Sequence, residues 1–349
     1  MKMHHICRIA ACLALAFPAL LSADSTFRKT SILPVPTLGY TPETRAYAGA
    51  VVQLAYRPDS QARISSAKID ISFTRNRQRI LLAECDWFLK DEKAVLKTQL
   101  LHTFYPDYYW GIGANTSDLQ RLRYSGQRSS AQFAWLFRLK PKLFAGPDFR
   151  FHQQRNFSFM EGDTTLFTTL APGGVGGVGW TYLSDHRDNQ LNARSGRMFR
   201  LQMGINRWTS GLFPKVQLDY RRYFPISEGA IALRGYYHHS GKLTPFFDLP
   251  LYGGDAARGY FLGRFRGQQL ALLQMEIRRT VYRRWGLAAF GGAGNTITGR
   301  ELMFQAIKPN AGLGLRFLAD RAARVNLRLD YAWGIHGQSG FYIAFGEAF

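Results

Sequence analysis

Two short stretches of the sequence carry residue types that could do chemistry. Residues 174–179 read Gly-Val-Gly-Gly-Val-Gly and fit the glycine pattern with which dinucleotide-binding proteins approach a phosphate. That pattern needs a helix after the glycines, whereas Trp180 and Tyr182 continue the alternation of a strand. His238 and His239 could ligate a metal, but adjacent residues on a strand point to opposite faces. We therefore expect no cofactor and no metal site.

Two further histidines, His102 and His152, fall in strand-like runs and have no serine or acidic partner that the sequence indicates. The chain also contains no G-x-S-x-G segment, with which many serine hydrolases hold their nucleophile on a sharp turn. We expect from this that the chain is not an enzyme.

The composition indicates which elements position these residues. Among 349 residues, 45 are Lys or Arg and 24 are Asp or Glu, so the net charge is +21, yet 14% of residues are aromatic. The aromatic content excludes a disordered chain, and a mean hydropathy of −0.20 excludes a helical membrane protein. A basic soluble protein that binds nucleic acid and a transmembrane β-barrel remain as the two candidates.

The N-terminus favours the barrel. Residues 1–23 have the organisation of a secretory signal peptide, with Lys2 and Arg8 before an apolar run and a small-residue cleavage site at Ala23. Cleavage there would lower the net charge from +21 to +19. Because an exported protein does not meet the chromosome, we expect no nucleic-acid partner.

Cleavage would also remove two of the three cysteines. Cys7 and Cys12 would leave with the signal peptide, and Cys85 would then have no partner for an internal disulfide. We expect residues 24–30 to form a short periplasmic tail and residues 31–349 to form the barrel.

Alternation with a period of two recurs along the rest of the chain. In residues 325–333 the odd positions are apolar or aromatic, whereas Asn326, Arg328 and Asp330 lie on the other face. This pattern predicts an all-β fold, a transmembrane antiparallel barrel of about sixteen strands, because a closed barrel of this kind needs an even number. The predicted strands are residues 31–42, 46–57, 65–75, 78–89, 94–105, 128–139, 142–155, 176–185, 197–207, 214–224, 229–239, 268–281, 285–295, 309–318, 324–333 and 339–349.

Connections between the predicted strands are of two kinds. Those at 90–93, 140–142 and 227–229 are short and polar, whereas residues 106–127, 156–175 and 240–267 are long. Barrels of the outer membrane have short periplasmic turns and long extracellular loops, so the asymmetry assigns the two ends.

Three stretches together resemble a known family. Residues 253–260 read Gly-Gly-Asp-Ala-Ala-Arg-Gly-Tyr and precede a strand that carries Glu276, residues 185–189 read Asp-His-Arg-Asp-Asn, and the last predicted strand ends at Phe349. These stretches are similar to the bacterial surface antigen barrels, the superfamily of BamA, TamA and the two-partner secretion transporters. The resemblance covers residues 31–349.

The resemblance implies that the loop with Arg258, Gly259 and Tyr260 folds back into the lumen as a lid. Family barrels usually face the loop arginine with an acidic residue from the strand after the Glu-x-Arg strand, where this chain has Gly292. Glu276 and Asp330 fall on inward faces by alternation and are the expected substitutes. BamA-like proteins also carry periplasmic POTRA modules, and this sequence shows none, so we expect a short member of the family.

The family implies a function in outer-membrane protein assembly or protein translocation, through a seam between the first and last strands that opens sideways. Here Gly39, Pro42 and Gly346 are expected to weaken that seam, because proline cannot donate a hydrogen bond and glycine packs poorly. Phe349 is expected to serve as the assembly signal. A separate periplasmic protein or an unfolded substrate protein would be the partner.

Two other functions stay open. A passive, anion-preferring pore would use arginines that face the lumen by alternation. These are Arg138, Arg200, Arg221, Arg278, Arg316 and Arg328. A structural barrel would instead bind a partner through long loops such as residues 106–127. In each case we expect a monomeric barrel in contact with the lipid bilayer and lipopolysaccharide.

Overall fold

A computed structural model describes residues 29–349, except 42–43, 59–61, 118, 120, 163–170 and 322. The predicted signal peptide at residues 1–23, and residues 24–28 of the predicted tail at 24–30, lie outside the described residues. Within the described part, no helix is long and apolar enough to cross a membrane.

Sixteen long strands follow one another in the described part of the chain, which confirms the predicted barrel. They are β1 (Thr30–Thr41), β2 (Arg45–Tyr56), β3 (Ser65–Thr74), β4 (Arg79–Phe88), β5 (Ala94–Phe104), β6 (Leu122–Lys140), β7 (Leu143–Glu161), β8 (Gly173–Asp185), β9 (Gly196–Trp208), β10 (Gly211–Ile226), β11 (Gly229–Ser240), β12 (Gln269–Tyr282), β13 (Trp285–Ile297), β14 (Lys308–Asp320), β15 (Val325–Trp333) and β16 (Ser339–Phe345). Each strand pairs antiparallel with the next one along the chain. β1 and β16 lie side by side and bring the barrel close to closure.

Alternation determines which face of each strand meets lipid. On β6, Phe133, Trp135 and Phe137 are between 43% and 52% exposed, whereas Ala134 and Leu136 between them are buried. On β15, Tyr331 and Trp333 are exposed, and the intervening polar and small residues are buried toward the lumen. Aromatic residues of these strands therefore face outward, and the buried arginines of the strands, such as Arg278, Arg316 and Arg328, face the lumen.

The strands on the extracellular side are longer than predicted. β6 begins at Leu122 and β7 continues to Glu161, and Asp107–Tyr109 pairs alongside β6, so much of the predicted loop 106–127 is strand. Aromatic residues from these extensions pack with Phe246 and Phe247 of the connection between β11 and β12. The cluster fills the extracellular end of the lumen.

The prediction of a last strand over 339–349 is wrong at its end. β16 stops at Phe345, and Gly346 has a φ of +76°, a left-handed conformation that glycine adopts without strain. The chain turns inward there, so Glu347 and Phe349 lie inside the barrel and Phe349 is only 5% exposed. In a strand that continued to residue 349, alternation would place Phe349 on the same face as Phe341 and Phe345.

Candidate functional site

The connection between β11 and β12, residues 241–268, folds into the lumen, and we call it the inward loop. It contains 3-10 turns at Phe246–Asp248 and Gly254–Ala256, and Leu251–Tyr252 pairs with Phe265–Arg266. Hydrogen bonds tie it to the wall strands, among them one from the Tyr252 hydroxyl to the Lys308 carbonyl oxygen at 2.5 Å. The loop therefore lies across the barrel interior.

Arg258 lies at the centre of the inward loop and is 1% exposed. Its Nη2 donates to Glu276 Oε2 on β12 at 2.5 Å, and its Nη1 donates to Asp330 Oδ2 on β15. The guanidinium carbon lies 3.4 Å from the centroid of the Phe290 ring on β13. The structure thus brings together the loop arginine and both of the acidic residues that the sequence offered as its partners.

These three residues belong to a larger group of charges, all with buried side chains except the exposed Asp255, which we call the loop network. Glu276 also accepts from Arg278 and Arg316, with Arg316 Nη2 at 2.6 Å from Glu276 Oε1. The eight members are Arg258, Arg278, Arg316, Arg328, Asp255, Glu276, Asp330 and Glu347. Four arginines meet four carboxylates, so the charge is balanced, as buried ions require.

Gly259 and Tyr260 fix the loop backbone against the wall. Gly259 has a φ of +103°, and a Cβ atom there would come within 2.6 Å of the Trp333 carbonyl carbon, so only glycine fits. Its backbone N–H donates to the Tyr342 hydroxyl on β16 at 2.9 Å. The Tyr260 hydroxyl donates to the Pro309 carbonyl oxygen at 2.6 Å. The Arg-Gly-Tyr triplet therefore places two ion pairs and two wall contacts side by side.

Gly292, where family barrels usually carry an acid, has no room for a side chain. A Cβ atom there would lie 2.6 Å from the Leu273 carbonyl oxygen and 3.0 Å from Asn310 Oδ1. Asn310 instead donates to the Arg258 carbonyl oxygen at 2.8 Å. The carboxylates for Arg258 come from β12 and β15 on either side of this position.

Sequence reasoning missed Glu347 as a member of the loop network. Its Oε2 accepts from Arg316 Nε at 2.9 Å, and its Oε1 accepts from Asn326 at 2.6 Å. Burial acts to raise the pKa of the Glu347 carboxyl, but Arg278 and Arg316 hold it below its usual range. One feature of the sequence could have indicated this role. Glu347 is an acidic residue at a position of the last predicted strand where alternation predicts an apolar one, and it directly follows a glycine.

Phe349 and Gly346 lie on the same inward turn. The Phe349 carbonyl oxygen accepts from Arg278 Nη2 at 2.8 Å, and the Arg278 guanidinium stacks on the Phe349 ring at 5.5 Å. The C-terminus is therefore held by the same arginine that binds Glu276.

The seam between β1 and β16 differs from every other strand junction. No ladder of paired residues forms across it within the part of the chain that the structure describes. Gly39 on β1 lies directly beneath the Tyr47 ring. A Cβ atom at position 39 would be only 2.5 Å from that ring. The Tyr47 hydroxyl passes over β1 and donates to the Ile343 carbonyl oxygen on β16 at 2.8 Å. Gly39 thus leaves room for a contact across the seam. The sequence had predicted only that glycine at this position packs poorly and weakens the seam.

The histidines also acquire partners in the structure. His102 Nδ1 lies 2.9 Å from the Ser129 hydroxyl, and His152 Nδ1 lies 3.0 Å from Asp248 Oδ1. Burial acts to raise the pKa of the Asp248 carboxyl, but Lys215 and His152 hold it well below its usual range. Among the described residues, no cluster of His, Cys, Asp and Glu has the composition of a metal site.

Sixteen antiparallel strands with an aromatic outer face and an inward-folded, ion-paired loop define an outer-membrane β-barrel. Residues 176–349, about half of the chain, match the model of the Omp85 superfamily domain. The chain belongs to the Omp85 superfamily, and this confirms the resemblance seen in the sequence.

Solved structures of low sequence identity share the fold. BamA from Haemophilus ducreyi, in a form lacking POTRA domains 1–3, is 13% identical with a TM-score of 0.57, and the match covers 91% of this chain and 70% of that one. CdiB from Acinetobacter baumannii is 14% identical with a TM-score of 0.56, and the match covers 91% of this chain and 60% of that one. The chain therefore spans less than two thirds of CdiB. None of the curated protein sequences compared with the chain matches it.

Proposed function

We propose that this barrel acts on polypeptides in the outer membrane, by inserting or translocating them at the seam between β1 and β16. The observation that carries the proposal is the seam itself, where the described residues form no ladder and one tyrosine hydroxyl reaches across. A strand edge with unpaired N–H and C=O groups is a template for an incoming strand. The similarity to BamA and CdiB supports the proposal at the level of the family.

Opening this seam costs little compared with opening any other junction. Separating β9 from β10 would break the pairing of thirteen residues on each strand, from Gly196↔Tyr223 to Trp208↔Gly211. Separating β1 from β16 requires the loss of the Tyr47 hydrogen bond, worth about 1 kcal/mol, together with apolar packing of Leu33 and its neighbours near the periplasmic end. The weakest junction is therefore the one at which a client strand can enter.

The loop network provides a firm base for β16 while the seam opens. Gly259 holds the Tyr342 hydroxyl, and Arg258 joins the loop to β12 and β15. In this proposal the Arg-Gly-Tyr loop is a lid that stays in the lumen and keeps β16 in position. Glu276 and Asp330 are the partners that retain it.

A passive anion pore has less support. Arg278, Arg316 and Arg328 were predicted to line such a pore, but they are buried in the loop network. Arginines whose charge is matched by carboxylates do not attract anions in the way that an open cationic ring does. We therefore expect a low conductance.

The proposal has four further parts, which are expected of an outer-membrane barrel. We propose that residues 1–23 direct export, that the barrel contacts lipopolysaccharide, that it works with a periplasmic partner protein, and that its function involves no catalysis. The His102–Ser129 pair is exposed, and within the described residues no acidic side chain makes a hydrogen bond to the His102 imidazole.

Photo-crosslinking tests the seam directly. Benzoylphenylalanine would replace Leu38, which faces outward on β1 at 39% exposure, or Phe133, which faces outward on β6 at 43% exposure. We expect adducts with outer-membrane polypeptides from position 38 and none from position 133, because only the former lies on the seam. Equal adducts at both positions, or none at either, would contradict the proposal.

Reconstitution gives a second measurement. Liposomes that contain the full chain would receive a urea-denatured barrel protein, and folding would be followed by its heat-modifiable gel mobility. We expect faster folding than in empty liposomes. A steady, large, anion-selective current in planar bilayers without any such acceleration would favour the pore instead.

A further inference from the structure

A separate cavity of about 370 Å³ lies in the lumen beside the inward loop. Strands β5 to β12 and the inward loop line it, on the part of the wall that does not include the seam. We call it the cationic cavity, and its charged lining consists of Arg128, Arg150, Arg200, Lys215, Arg234 and Asp248.

The charge of the cationic cavity is not balanced. Asp248 is the lining carboxylate, and it is already shared between Lys215 Nζ at 2.8 Å and His152. Asp219, buried behind the lining, accepts from both Arg221 and Arg234. One carboxylate thus serves two arginines, and Arg200 approaches it only to 3.8 Å. Positive charge remains without a partner of its own.

Arg150 is the clearest case. Its side chain is 8% exposed, and none of its three guanidinium nitrogens makes a hydrogen bond within the part of the chain that the structure describes. Asp148 Oδ1 lies 3.1 Å from Nε as an ion-pair contact, and Thr181 takes the other Asp148 oxygen. A buried guanidinium with free N–H groups is costly, so its donors are available to a ligand.

The wall is shaped to hold this guanidinium. A Cβ atom at Gly204 would lie 1.9 Å from Arg150 Nη2, and one at Gly179 would lie 2.5 Å from it. Glycines on two neighbouring strands, β8 and β9, therefore form a seat for the Arg150 head group. Any other residue at either position would force it to move.

Two further donors around the cavity are unsatisfied. Arg128 Nε and Arg200 Nε are buried and make no hydrogen bond to a described residue. Together with Arg150 these groups come from three strands, and guanidinium groups match tetrahedral oxyanions in both geometry and charge.

We propose that the cationic cavity binds a phosphoryl group, with Arg150 as its principal ligand. A dianion balances the surplus charge, and its oxygens accept from donors on several sides. Gln132 and Arg200 line both this cavity and a second one of about 400 Å³, which extends toward the periplasmic end, so the site is reached from there. Neither the family nor the proposed seam requires such a site.

Calorimetric titration of the full chain in detergent tests the proposal with two probes. Inorganic pyrophosphate represents a free phosphoryl anion, and dihexanoyl-phosphatidate represents a lipid headgroup. Binding to wild type is compared with Arg150→Gln and with Arg138→Gln, an exposed arginine near the periplasmic end that does not line the cavity. Heat-modifiable gel mobility checks that each variant is folded. If Arg150→Gln fails to fold, Arg200→Gln replaces it.

We expect saturable binding of at least one probe by wild type, a loss of affinity of about tenfold or more in Arg150→Gln, and less than twofold in Arg138→Gln. Binding of pyrophosphate identifies a free anion as sufficient, and binding of phosphatidate alone identifies a lipid source. Absence of binding for both probes, or equal affinity in wild type and Arg150→Gln, overturns the proposal. Neither result bears on the seam, which is tested by crosslinking.

Discussion

The loop network and the cationic cavity are both built from arginines and carboxylates inside the barrel, on different parts of the wall, and they differ in how the charge is matched. In the loop network, every arginine meets at least one carboxylate, and Glu276 alone receives three of them. In the cationic cavity, Arg150 has an ion-pair contact with Asp148 at 3.1 Å, but none of its three guanidinium nitrogens makes a hydrogen bond to a described residue. The comparison teaches that arginine inside a barrel has two uses. Arginines whose donors are satisfied by carboxylates hold a loop in place, and arginines whose donors are unsatisfied are poised to bind.

The largest effect is expected from removing a shared carboxylate. Glu276→Gln leaves Arg258, Arg278 and Arg316 with less negative charge in a buried setting, so we expect a loss of about 3–5 kcal/mol in unfolding free energy. Urea titration of the heat-modifiable gel shift measures it. Glu84→Gln is the control, because Glu84 pairs with Lys68 at a 36% exposed position and is worth less than about 1 kcal/mol. Similar losses in both variants would show that the network is not special.

A matched pair of arginine substitutions compares the two regions directly. Arg258→Gln should cost about 2–3 kcal/mol, less than the carboxylate change, because Glu276 and Asp330 each keep other arginines. Arg150→Gln should cost about 1–2 kcal/mol, less than Arg258→Gln, because Arg150 has one ion-pair contact, with Asp148 at 3.1 Å, and none of its nitrogens makes a hydrogen bond to a described residue. Both would be measured by the same urea titration. A loss from Arg150→Gln as large as that from Arg258→Gln would mean that Asp148 alone matches its charge.

Acid should weaken both regions through carboxylates whose pKa is held low. Such a group adds stability above its unfolded pKa, near 4, and that stability is lost as the pH falls through the lower folded pKa. We expect unfolding free energy to fall below about pH 4 more steeply in wild type than in Asp248→Asn or Glu347→Gln. Parallel curves for wild type and both variants would contradict this.

The smallest effect is expected at the seam, where a substitution should change amide exchange in β1 and β16 but not in strands far from the seam. Tyr47→Phe should cost about 1 kcal/mol and speed amide exchange in β1 and β16 about fivefold, with no change in β8 and β9. Tyr40→Phe is the control, because Tyr40 lies on β1 at 48% exposure and faces outward. Equal exchange in wild type and Tyr47→Phe would show that the hydroxyl does not secure the seam.

Much of the loop network was accessible from the sequence. Alternation placed Glu276 and Asp330 on inward faces, and the Arg-Gly-Tyr triplet at 258–260 marked the loop. Glu347 was missed because the alternating pattern predicted that the last strand continues to residue 349. In the structure the positive φ of Gly346 ends the strand before Glu347. The cationic cavity was also missed, because alternation shows that an arginine faces inward and not whether a carboxylate lies beside it.

By itself the sequence determined a barrel of sixteen strands, the faces of those strands and the family to which the chain belongs. These follow from a period of two residues, which is local and depends only on neighbours in the chain. Only the tertiary structure decided which charges meet, that the C-terminus turns inward, and that Tyr47 crosses the seam above Gly39. Such contacts join residues as far apart as Tyr47 and Ile343, and they depend on register and barrel closure.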